Sequence, residues 1–129
     1  MTNVGVVGLG DMGSGLAKNL INNKFNTIGL DLSKKRMEDF KRMGGVVAHS
    51  LSEVGKFADI VFVMVMNGNQ AKEVIIKKDG LIHSLKKNST VIITSTIKPL
   101  EKPLIKPKPR ATDSTISITF TFTKVLYFW

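Results

Sequence analysis

The chain has 129 residues, room for one domain with a real core and too short for two ordinary ones. It contains no cysteine, which excludes a disulfide framework and any thiolate metal site, and its two histidines, His49 and His83, lack ligand spacing. A formal net charge of +9 raises nucleic acid as a partner. However, Lys18, Lys24, Lys41, Lys56, Lys72 and Lys86 are scattered over helix surfaces and loops, without the interleaved aromatics of a base-stacking platform.

The apolar run Val4-Gly5-Val6-Val7 reads as a buried strand, with no basic-then-apolar leader before it. It runs into Gly8-Leu9-Gly10-Asp11-Met12-Gly13, and then into a helix whose apolar face is predicted as Met12, Leu16 and Leu20 flanked by Ala17 and Ile21. A bare G-x-G-x-x-G is weak evidence. Between a strand and a helix it becomes the phosphate-binding turn of a dinucleotide fold. The first glycine allows the tight turn, the second lets backbone approach a pyrophosphate, and the third lets helix and strand pack. The helix N-terminus presents amide N–H groups to the phosphates.

Thr27-Ile28-Gly29-Leu30 reads as a second strand ending at Asp31, about 20 residues into the unit, where an acid accepts hydrogen bonds from the adenosine ribose. A carboxylate there repels a 2′-phosphate, so Asp31 favours NAD over NADP. Against it stands Lys34-Lys35-Arg36, a basic cluster able to tolerate a phosphate, or simply the solvated first turn of a helix capped by Ser33. That helix buries Met37, Phe40 and Met43, and Gly44-Gly45 stops it.

Val46-Val47-Ala48 follows as a short third strand. Ser50 and Glu53 have capping-box spacing, opening a helix that buries Val54 and Phe57. The unbroken apolar run Ile60 to Met66 predicts a central parallel strand covered on both faces. Asn67-Gly68-Asn69 breaks it before a helix through Ala71, Val74 and Ile75, then a turn at Asp79-Gly80 and an apolar turn at Leu81, Ile82 and Leu85. Thr90 to Ile93 is a fifth strand ending near Thr94-Ser95-Thr96. About five core strands alternating with helices make a doubly wound α/β parallel sheet, the Rossmann arrangement. Ligands bind outside the carboxyl ends of its strands. That rim collects Gly8, Leu9, Gly10, Asp11, Met12, Gly13, Asp31, Val65, Met66, Asn67 and Thr96 as candidate cofactor contacts. The plain alternatives are a strand-ending turn at Asn67-Gly68 and a helix cap at Ser95-Thr96.

The segment Gly5 to Leu20, GVVGLGDMGSGLAKNL, resembles the opening of the 3-hydroxyacid dehydrogenases, which include 3-hydroxyisobutyrate, tartronate-semialdehyde, L-threonate and 6-phosphogluconate dehydrogenases. The resemblance covers residues 3 to 98 and implies NAD as cofactor. Asp31 stands where NAD-using members carry their acid, and Ser95-Thr96-Ile97 is similar to the S-T-I segment whose threonine contacts the nicotinamide ribose. Asn67 through Gln70 resembles the L-threonate branch more than members with Leu-Pro there. The family oxidises a 3-hydroxy acid, with hydride passing to the nicotinamide and a lysine serving as acid or base. Here the D-x-P-V-S-G-G-like substrate loop and the helical domain carrying that lysine are missing, so no catalytic residue is carried over. The expectation is a cytoplasmic nucleotide-binding domain over residues 1–98, without activity alone. The alternative is a non-catalytic remnant or regulatory module, forming a homo-oligomer or pairing with a full-length relative.

Residues 99–129 are the non-family tail. All four prolines fall between Pro99 and Pro109, which forbids a helix and predicts an extended, polyproline-like stretch. Thr115 to Thr123 then alternates with period two. The composition shift implies a truncated or frame-shifted gene, or else a natural splice or short form. With strand order 3-2-1-4-5, the tail is expected either to return antiparallel beside strand 5, burying Ile116, Ile118, Phe120 and Phe122, or to stay detached.

Overall fold

The computed structural model describes residues 1–94 and, as backbone, the strand 117–120. Ser95, Thr96 and Ile97, the proline-rich stretch and the expected tail face lie outside the described residues. The elements alternate as β1 (Asn3–Val7), α1 (Asp11–Asn22), β2 (Asn26–Leu30), α2 (Lys34–Arg42), β3 (Val46–Val47), α3 (Leu51–Phe57), β4 (Ile60–Val63) and α4 (Gly68–Ile76). A 3-10 turn (Leu81–His83), β5 (Thr90–Ile93) and β6 (Ser117–Phe120) complete them. The strands form one sheet in the order β3-β2-β1-β4-β5-β6, and every pairing is parallel.

Two clusters of buried side chains form the core. Val6, Leu9, Ala17 and Phe40 pack with Leu20 and Ile21 of α1, Met37 of α2 and Met43 just past it. Val7, Ile28, Val61, Val63, Val91 and Ile93 pack with Val54, Ala71, Ile75 and Leu81. β1 is therefore buried from Val4 to Val7, as a central strand between two helical layers must be.

Local chemistry explains the helix boundaries. The Ser33 hydroxyl accepts from the Arg36 amide (3.4 Å), and Ser50 accepts from the Glu53 amide (3.2 Å) while Glu53 takes the His49 amide (2.9 Å). At the end of α2, Gly44 takes φ +96°, and the amides of Gly44 and Gly45 return to the carbonyls of Lys41 and Phe40.

Three expectations are corrected. Met12 is 55% exposed and leaves the core face of α1 to Gly13, Ala17, Leu20 and Ile21. The 3.6-residue pattern missed this because the turn, not the helix, sets where α1 enters. β4 ends at Val63, three residues before the apolar run does, and its burial alternates. Finally, β6 lies beside β5 but parallel to it, Thr90 opposite Ser117 and Ile93 opposite Phe120. A parallel return needs about a dozen connecting residues rather than a helix, and the segment between β5 and β6 is long enough despite its prolines.

The end of the sheet opposite the glycine turn is pinned by Asp59. Its carboxylate accepts from the Asn3 amide (3.0 Å) and from Lys86 Nζ (2.8 Å), and its backbone pairs with Asn3 and Thr90. The Lys86 ammonium and, next, the Asn3 amide hold the Asp59 carboxyl below its ordinary value of 3.8. A depressed carboxylate stabilises the fold above its unfolded-state pKa, and that stabilisation is lost as pH falls through the folded value. Lys86→Met should therefore flatten the acid limb of a stability–pH curve below pH 3.8. Denaturant titrations at stepped pH check this; an unchanged limb would remove the role given to the pair.

Candidate dinucleotide-binding site

Gly8 turns the chain out of β1 with φ +95°, a conformation that L side chains rarely adopt. Its amide donates to the Leu30 carbonyl (2.9 Å), fastening the turn to β2. A Cβ at Gly8 would lie 2.1 Å from the Met64 carbonyl oxygen, and one at Gly13 would lie 1.9 Å from the Gly8 carbonyl oxygen. Both positions are closed to a side chain by the protein's own backbone.

Gly10 is different. It has φ −66°, and a Cβ built on it meets nothing within 4 Å among the described residues. The fold places no demand for glycine there. An open cradle at the N-cap of α1 is what close approach of a ligand requires. With no side chain at the cap, the first amides of α1, those of Asp11, Met12 and Gly13, have no side-chain acceptor among the described residues. The exposed carboxylate of Asp11 adds negative charge at the mouth.

Asp31, just past β2, faces this turn. Its Oδ2 accepts from the Leu9 amide (2.7 Å) and its Oδ1 from the Ser33 amide (2.8 Å). Arg36 Nη1 lies 3.6 Å from Oδ2, and the Asp31 side chain is 9% exposed against 54% for Arg36. The Asp31 amide in turn points at Met37 Sδ (3.1 Å). The acid thus ties the glycine turn to the first turn of α2.

The other candidates divide. The Leu9 side chain is in the core and its amide is committed to Asp31, so Leu9 contributes by shaping the turn. Met12 and Met66, 55% and 82% exposed, stand at the rim, with Val65 half-buried beside them. Asn67 caps α4, its Oδ1 accepting from the Gln70 amide (3.0 Å), while Gln70 Oε1 takes the Met66 amide (2.8 Å). The plain reading of Asn67 as a helix-starting turn therefore accounts for its side chain. Thr96 lies outside the described residues. Thr94, at the end of β5, has a buried hydroxyl without a partner among the described residues. Nothing in the sequence pattern distinguishes Thr94, and Arg36 is one of three adjacent basic residues there; only the ion pair with Asp31 separates Arg36 from its neighbours. Among the described residues, no group of three or more His, Asp or Glu is placed to hold a metal, and no helix is long and apolar enough to cross a membrane.

Residues 3–114 match the family profile of the NAD binding domain of 6-phosphogluconate dehydrogenase. The chain belongs to this family. It is 34% identical over 97 residues to L-threonate dehydrogenase of Cupriavidus necator, covering 75% of this chain and 33% of that protein. It is 38% identical over 98 residues to the mitochondrial 3-hydroxyisobutyrate dehydrogenase of Mus musculus, covering 76% and 29%. The crystal structure of 3-hydroxyisobutyrate dehydrogenase from Salmonella typhimurium superposes with a TM-score of 0.73 at 31% identity, over 78% of this chain and 35% of that one. The chain therefore spans about a third of the length of these relatives. It is an NAD-binding Rossmann domain of the 3-hydroxyacid dehydrogenase type, and the open position at Gly10 fits that cofactor's pyrophosphate.

Proposed function

We propose that this chain binds NAD across the Gly8–Gly13 turn and, assayed by itself, oxidises no hydroxy acid. The observation carrying the binding site is Gly10, the one glycine of the motif that nothing among the described residues requires. In this reading the amides of Asp11, Met12 and Gly13 take the pyrophosphate and Asp31 the adenosine ribose. Met12, Val65, Met66 and Asn67 line the cleft toward the nicotinamide ribose, which Thr96 contacts. The nicotinamide, when bound, accepts or returns a hydride. The chain's own residues place it, and hydride transfer from a hydroxy acid further needs a substrate pocket and a proton acceptor. The longer relatives carry about two-thirds of their length beyond the matched region, and we assign that pocket and acceptor to it. For the 129-residue chain assayed by itself, the expected Kd lies in the micromolar to millimolar range.

Isothermal calorimetry with NAD and NADH is the test of binding, and no heat at millimolar ligand would refute it. Incubation with NAD and L-threonate, 3-hydroxyisobutyrate or 6-phosphogluconate should give no NADH absorbance. Reproducible reduction that Gly10→Val abolishes would show the chain to be an enzyme alone. A second reading is a cytoplasmic module that pairs with itself or with a full-length relative. Sedimentation of the purified chain, alone and mixed with such a relative, distinguishes the two.

A further inference from the structure

We infer that Arg36 makes this site tolerant of a 2′-phosphate, so that it takes NADPH nearly as well as NADH; the inference rests on the dinucleotide reading above. An acid at the end of β2 selects NAD when its oxygens are free to accept from the ribose hydroxyls and its charge is bare toward the 2′-position. The second condition fails for Asp31. Each oxygen accepts one amide, Leu9 at 2.7 Å and Ser33 at 2.8 Å, and keeps a lone pair for a ribose hydroxyl. Its charge, however, is offset: the Arg36 guanidinium lies 3.6 Å from Oδ2, and Lys34 and Lys35 stand exposed in the same first turn of α2. The segment Asp31 to Arg36 carries one negative and three positive side chains.

Arg36 is also able to move. It is 54% exposed, and at 3.6 Å it makes an ion pair with Asp31 without a short hydrogen bond. The Ser33 cap uses the Arg36 backbone amide, so the helix keeps its start wherever the guanidinium goes. A planar fork of N–H donors suits a phosphate monoester better than a partly occupied carboxylate. An arginine near the ribose is the known means of accommodating the 2′-phosphate in this fold type.

Binding of NADH and NADPH to the full chain, followed by nicotinamide fluorescence and calorimetry at two salt concentrations, tests the inference. The expected Kd values agree within about fivefold, with the NADPH value rising more steeply with salt because an extra charged contact is screened. Arg36→Gln should weaken NADPH about tenfold and leave NADH unchanged, the loss of one charge-assisted phosphate contact. As 5′-AMP lacks the 2′-phosphate, it should be insensitive to Arg36→Gln, whereas 2′,5′-ADP should weaken in parallel with NADPH. A preference for NADH of about a hundredfold in the unmodified chain, a gap of roughly 2.7 kcal/mol, would overturn the inference while leaving dinucleotide binding intact. So would an Arg36→Gln variant with an unchanged NADPH-to-NADH ratio. Failure of both nucleotides to bind would instead remove the reading beneath it.

Discussion

Gly10→Ser should weaken NAD binding at least about tenfold in a protein that melts no earlier than the unmodified chain, whereas Gly13→Ala should destabilise the fold by about 1–3 kcal/mol or more. The two glycines are three residues apart in one motif, and their surroundings make opposite demands. At Gly10 a Cβ meets nothing within 4 Å among the described residues and φ is −66°, so the backbone accepts a side chain there. Serine is moreover a preferred N-cap, its hydroxyl accepting from an amide of the first turn, and stability should hold or rise by a few tenths of a kcal/mol. The same Cβ and hydroxyl occupy the space through which a pyrophosphate reaches those amides, and loss of contact there should cost at least about tenfold in affinity, or 1.4 kcal/mol. At Gly13 the added Cβ would sit 1.9 Å from the Gly8 carbonyl oxygen. Backbone is the obstacle, so relief requires α1 to move off the turn and off Val6 and Leu9 beneath it. Overpacking of this kind costs about 1–3 kcal/mol or more, a large part of a small domain's 5–15 kcal/mol. Chemical denaturation and calorimetry on both variants check the contrast. Equal destabilisation by the two, or NAD affinity unchanged in Gly10→Ser, would show that the motif serves the fold alone.

That contrast also marks how far the residues alone could be read. Strand order, the glycine turn and the position of Asp31 were legible because each rests on local chemistry: apolar runs of strand length, a glycine needing positive φ, an acid at the end of the second strand. The strand limits at Val63 and the outward aim of Met12 were not legible. Both depend on what packs against them, and an apolar residue exposed at the rim has the same letter as one in the core. The pairing of β6 was half legible. Its alternation marks a strand suited to the β5 edge, but direction depends on the path of the connecting chain. Arg36 was hidden for another reason, since three adjacent basic residues look alike until the Asp31 oxygens distinguish the one that faces them.

Phe40→Ala should give the largest loss of stability among substitutions away from the turn, about 3–5 kcal/mol, the usual cost of emptying a buried phenyl site. Phe40 is fully buried and is the sole buried residue of α2, whose remaining positions are charged apart from the half-buried Met37. The ring lies between two glycines. A Cβ on Gly29 would stand 2.7 Å from its Cε1, and one on Gly45 2.2 Å from its Cζ. The helix is therefore held by one aromatic anchor set into a slot that two missing side chains create. Removing the anchor should free α2 and β3 together, with early loss of hydrogen-exchange protection at the Ala48 amide, which bonds to Gly29 across β2 and β3. Because Ser33 and Met37 of that segment hold Asp31, NAD affinity should fall in the same variant. Gly45→Ala should do comparable damage from the opposite direction, by adding a methyl group where the ring already stands. If the slot is the cause, the two sites must couple: Phe40→Leu combined with Gly45→Ala should be less destabilised than the sum of the single changes, since the smaller side chain vacates the space that the methyl group needs. Strictly additive effects in that double-mutant cycle would mean that Gly45 is required by its backbone and not by Phe40.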